Sequence, residues 1–253
     1  RSTSCGTLFP YTTLFRSVML TDPEDAEADP TAETSVRVLL HRMQTRRAGQ
    51  LCGYFGVVAG SFFALALWLP DYLSSQFDLS VDSGARLAQW FVIPGALAQI
   101  LGGGFSDRFG SARVVSRALM VCLMALFVLS YPPMTLFIQG VDATIRVEFA
   151  LPMQLEGVFV VTLGLAMGCT MGSLQRLVIV ENRSVAAFVA GLLLVSACSV
   201  AFVLPVIFSS VNHWLGIRSA VFMILFLLLV GCLFLFARES RRHEREHLLH
   251  PGI

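Results

Sequence analysis

Gly102–Arg117 reads GGGFSDRFGSARVVSR and lies between two apolar runs, Leu87–Leu101 and Val114–Tyr131. Its pattern is Gly103-x-x-x-Asp107-Arg108-x-Gly110-x-x-Arg113. Crossing a bilayer takes about 20 mostly apolar residues, so the flanking runs read as two membrane helices and the stretch as the turn between them. Glycines at the end of the first helix let another backbone approach closely. Asp107 suits the positive N-terminal end of a neighbouring helix. Arg108, Arg113 and Arg117 reach the headgroups and mark the cytoplasmic side.

The rest of the chain agrees with a membrane setting. Of 253 residues 55% are hydrophobic and 14% charged, against about 25% charged in ordinary soluble domains; mean hydropathy is +0.72. A net charge of +1 gives no reason to expect a nucleic-acid partner. Cys5, Cys52, Cys122, Cys169, Cys198 and Cys232 show no CxxC spacing, so neither a metal site nor a disulfide framework is expected. No histidine lies within an apolar run, and the Gly102–Gly104 triplet lacks the Gly-Lys-Ser/Thr of a phosphate loop. The sequence therefore predicts a protein that is not an enzyme and holds no cofactor.

Six apolar segments follow one another: Leu51–Leu69 (ended by Pro70 and Asp71), Leu87–Gly104, Val114–Tyr131, Met153–Leu174, Ala186–Phe208 and Ser219–Ala237. A polar excursion, Met134–Pro152, separates the third from the fourth, and Pro205 marks an expected kink in the fifth. If the first span runs outward, thirteen arginines between Arg37 and Arg245 fall on one side and Arg86, Arg146 and Arg218 on the other. That asymmetry places both ends in the cytoplasm. The expected organisation has four parts. Residues 1–17 contain TLFPYTTLFRS, which resembles an in-frame translation of a sequencing adapter and is set aside as non-native. Residues 18–49 form a cytoplasmic linker, acidic over 19–34, with a basic amphipathic segment at Ser35–Arg47. Residues 50–237 hold the six spans, and 238–253 form a charged tail.

The Asp107-Arg108 turn resembles the short cytoplasmic loop of the major facilitator superfamily, which occurs once in each six-helix half of those transporters. The implied fold is an all-α membrane protein, a six-transmembrane-helix half of a major facilitator bundle. WLPDYL (Trp68–Leu73), LSYPP (Leu129–Pro133), QGVDATI (Gln139–Ile145), FVLPVIF (Phe202–Phe208) and FMILF (Phe222–Phe226) are similar in order and spacing to segments of the nitrate/nitrite porter family. This resemblance implies a carrier of nitrate, nitrite or a related small inorganic anion in the bacterial inner membrane, working by alternating access, either exchanging the two anions or coupling nitrate to protons. Its partners would be the lipid bilayer and a missing N-terminal six-helix half, with substrate near the midplane between the halves. Asp107, Arg108 and Arg113 would act in gating and packing with Gly103 and Gly110, their partner being a helix of that other half.

The chain departs from the porter pattern where the anion would sit. The family places an arginine on the second span, because a planar guanidinium fork matches a planar oxyanion; Gln99 stands there. Phe55, beside Tyr54, occupies the position of a binding tyrosine, and Ala59 that of an aromatic one turn on. Of the glycine-rich signature on the fifth span only Gly191 remains. Phe55, Ala59, Gln99 and Gly191 are the substrate-pocket candidates. Ordinary roles stand beside this one: an interhelical hydrogen bond for Gln99, packing for Phe55. Glu156, just inside the fourth span, is a candidate proton or polar site or a group that only reaches the headgroups. Arg176 and Arg183 read as loop anchors, and His213 and Trp214 as interface residues in an outer loop. A transporter of another substrate, or a non-transporting membrane receptor or structural protein, is the alternative.

Overall fold

The structure, a computed structural model, describes residues 45–131, 134–139, 144–149, 152–215 and 219–249. The adapter-like segment and the linker through residue 44, with most of its basic amphipathic stretch, lie outside the described residues. Six helices, α1 (Thr45–Gln76), α2 (Val81–Phe109), α3 (Ser111–Leu129), α4 (Met153–Glu181), α5 (Ala186–Leu215) and α6 (Ala220–Leu249), are each long and apolar enough to cross a membrane. Between α3 and α4 the polar excursion holds a two-stranded antiparallel hairpin, β1 (Met134–Gln139) and β2 (Thr144–Phe149). Met134 pairs with Phe149 and Gln139 with Thr144. The six-span membrane protein expected from the sequence is thus present, with one small sheet outside the bundle.

Several helix ends, those of α1, α2, α4, α5 and α6 among them, lie beyond the apolar runs, because polar residues continue a helix into the headgroup region. α1 does not stop at Pro70 but passes through it to Gln76. A proline removes one backbone bond, and a membrane helix tolerates that loss where neighbours satisfy the freed carbonyl. Pro94 and Pro205 likewise sit inside α2 and α5. His213 and Trp214 are in the last turn of α5, not in a loop. The start of α2 is capped by Ser80, whose Oγ accepts from the Ser83 N–H at 3.3 Å, with Asp82 in the first turn.

α1 and α4 form the centre of the bundle. Of the residues in their apolar stretches 61% are buried, against 28% in α2 and 22% in α5. α4 packs most extensively on α2, and α1 on α5; α3 and α6 lie against each other. Exchanging α1–α3 with α4–α6 maps each main helix–helix contact onto another of the set. Three spans reverse the chain's direction across the bilayer, so this is the pattern of two inverted repeats. The correspondence is uneven: α2 and α3 hold α4 more extensively than α5 and α6 hold α1.

Candidate functional site

The tightest seam joins α2 and α4, which run parallel. Gly164, Gly168 and Gly172 recur every fourth residue, on one face of α4. They lie against the carbonyl oxygens of Phe91, Gly95 and Gln99, also four residues apart on α2. A Cβ at any of the three would overlap backbone, so only glycine permits this approach. Such contacts allow Cα–H···O bonds worth about 0.5–1 kcal/mol each. Gly102 continues the seam against the backbone of Cys169, and the Ser173 hydroxyl donates to the Gly102 carbonyl at 3.0 Å.

Gln99 stands on this seam, half-buried, and its Nε2 donates to Oε1 of Gln175 at 3.2 Å. One residue further, Arg176 forms an ion pair with Asp107. Asp107 thus has a partner within this chain, on α4, whatever it meets in another half. The register of the glycine seam brings the end of α2 beside the last turns of α4, within reach of a long arginine side chain. A second ion pair, Arg47 to Glu181 at 2.9 Å, ties the start of α1 to the end of α4. Gly103 is half-buried, its amide nitrogen close to Gly172. Gly110 has φ +85°, in the left-handed region that glycine adopts freely, and joins α2 to α3. Arg108, Arg113 and Arg183 are exposed around the same end.

The four pocket candidates differ in their surroundings. Phe55 and Ala59 are 7% and 1% exposed, within the core, while Tyr54 sets its ring edge-on to Phe236 of α6. Gly191 is exposed, with nothing within 4 Å of where a Cβ would be. Close packing between α1 and α5 comes instead from α1: Gly56 lies over Ser196 and Gly60 over Val200. The Ser196 hydroxyl donates to the Cys52 carbonyl at 3.0 Å. Two surface recesses, one lined by Phe234, Ala237, Arg238, Arg241 and Arg242 and the other by Pro205, Val206, Ser209, Ser210, His213 and Trp214, include none of the four. Gln175 and the glycines of α4 are what sequence reasoning missed. The glycines announce themselves by their four-residue spacing; Gln175, beside Arg176 near a helix end, reads as an ordinary headgroup-level residue.

Glu156 is in the first turn of α4 and only 3% exposed, so it does not reach solvent or headgroups. Its hydrogen-bonding neighbour is Tyr72 of α1. Among the described residues, no set of three or more His, Cys, Asp or Glu side chains is placed to hold a metal ion.

No protein-family model matches the chain. It is 29% identical over 176 residues, 69% of its length, to the "Probable nitrate/nitrite antiporter NarK1" of Thermus thermophilus. It is 34% identical over 80 residues, 31% of its length, to the "Probable nitrate/nitrite transporter NarK2" of Mycobacterium tuberculosis. The matches span 40% and 20% of those two relatives. Six helices long and apolar enough to cross a membrane, together with sequence similarity to membrane transporters, define an integral membrane protein.

Proposed function

We propose that the chain is one six-helix half of a secondary transporter of the major facilitator type, carrying nitrate, nitrite or a related small anion by alternating access. The observation that carries this reading is the 176-residue similarity to a relative named "Probable nitrate/nitrite antiporter", taken together with six spans. The low burial of α2 and α5 supports a second half docking there, since a helix lining a path between halves keeps one face free of its own bundle. The arginine-rich end, with the Gly110 turn, faces the cytoplasm of a bacterial inner membrane, and both termini lie on that side.

The substrate contact on this half is the amide of Gln99, with Gly191 on the open face of α5. Phe55 and Ala59 shape the helix that backs them. An amide pair donates and accepts hydrogen bonds but supplies no charge, so neutralisation of an anion falls to the other half or to a co-transported proton. That feature also favours the second reading, a transporter whose substrate is not nitrate. Flux into vesicles separates the two, using the chain joined to or co-expressed with a matching six-helix half. Nitrate or nitrite uptake that rises in Gln99→Arg supports a modified anion site. Absence of uptake of either ion, in the parent and in the variant, refutes the anion reading.

A further inference from the structure

Glu156 is a carboxyl that the anion path does not use. It is 3% exposed, and its Oε1 has no hydrogen-bond partner. None of the ion pairs among the described residues involves it. From α1 it is faced by Tyr72, 2% exposed, whose ring stands edge-on to Phe222 of α6 at 5.0 Å. Among the described residues, the other polar groups at this end supply it no cation. Asp71 is exposed; Asp82 and Arg86 of α2 pair with each other in the open; Ser130 and Tyr131 follow α3; His213 of α5 is exposed. α6 begins beside Ser219, buried, with its Oγ also unpartnered. Trp68, one turn before Tyr72 on α1, has a buried and unpartnered Nε1.

A carboxylate placed here would be a buried anion with no cation among the described residues, the costliest state of the group. The neutral acid needs only hydrogen bonds. We propose that Glu156 is a proton-binding site at the end of the bundle away from the Gly110 turn. The acid holds its proton while α1, α4 and α6 are closed over it, and releases it to water when those helix ends part. The released proton goes to the aqueous phase and the carboxylate becomes hydrated, so charging of Glu156 and opening of this end are one linked equilibrium. α1 has a place to bend. Pro70, two residues before Tyr72, has no N–H to bond the Ala66 carbonyl, and its own carbonyl lies against Gly84 of α2, where a Cβ would come within 2.6 Å. The proposal goes beyond the transport reading and requires only that the chain span a membrane.

The test is infrared difference spectroscopy of the 253-residue chain in phosphatidylcholine vesicles, with Trp90 and Trp214 changed to Phe so that Trp68 alone reports by fluorescence. At neutral pH a protonated-carboxyl C=O band is expected, absent in Glu156→Gln and shifted in frequency in Tyr72→Phe. Alkaline titration should remove the band and move Trp68 emission to the red over the same pH interval. A spectrum unchanged by Glu156→Gln at neutral pH overturns the proton site. A band that titrates while Trp68 emission stays fixed overturns its link to opening.

Discussion

Replacing a guanidinium by an amide changes what a buried position demands of its neighbours. An arginine at 99 would need an anion or a carboxylate; Gln99 is met by a second amide, Gln175. Interhelical hydrogen bonds of this kind contribute about 0.6 kcal/mol on average and at most about 1.7 in membrane bundles. Gln99→Leu and Gln175→Leu are each expected to destabilise by about that amount. The double variant should cost less than the sum, because one lost bond is shared; unfolding in mixed micelles measures all three. The ion pair Asp107–Arg176 is part-exposed, so solvent screens it. Asp107→Asn is expected to cost about 0–1 kcal/mol, read by the same unfolding titration. The position of Gln99 was legible because a family pattern made its identity conspicuous. Its partner was not, because which residue of α4 faces it depends on a helix register set by glycines 70 or so positions away in the chain.

Among the helices, sequence fixes how many there are far better than how they meet. The six runs are too long and too apolar for any other reading, and the polar ends were placed only approximately because headgroup-level residues continue a helix without an apolar signal. Pro70 looked like a stop and is an interior residue. The hairpin between α3 and α4 was legible but passed over: Ile145, Val147 and Phe149 alternate with Thr144, Arg146 and Glu148, and they pair with Ile138, Leu136 and Met134 on one apolar face. Packing between helices was legible in part: Gly164-x-x-x-Gly168-x-x-x-Gly172 is visible in the sequence, but its partner helix is not. Gly168→Ala puts a Cβ into the carbonyl of Gly95, and backbone cannot rotate away as a side chain does. The expected cost is about 1–3 kcal/mol, the range for overpacking. Gly191→Ala meets open space and is expected to be neutral or slightly stabilising, since alanine restricts the unfolded chain more than glycine. Thermal unfolding of the two variants beside the parent checks the contrast; equal losses would remove the α2–α4 seam from its place as the bundle's tightest contact.

Across the bundle, sidedness follows from where charge can stay hydrated. Arg108 and Arg113 surround the Gly110 turn, and Trp214, 88% exposed, closes α5 at the opposite end. An impermeant maleimide separates the two ends once the exposed Cys198 is changed to serine. In intact cells Trp214→Cys is expected to label, and Arg113→Cys only after permeabilisation. The reverse pattern would turn the bundle over and remove the positive-inside argument. The same reagent addresses what covers α5. Leu194 and Phe202, 62% and 78% exposed, would face either lipid or a second six-helix half. Lipid leaves a cysteine at 202 unreactive in every state, because thiolate does not form in hydrocarbon. A water-filled path between halves makes it reactive, and substrate anion should then slow labelling. Labelling of Phe202→Cys that appears when a matching half is present, and falls when nitrate or nitrite is added, is the outcome expected of a transporter. Reactivity that ignores the anion would place this face of α5 outside the path and move the search for the substrate contact to α2 alone.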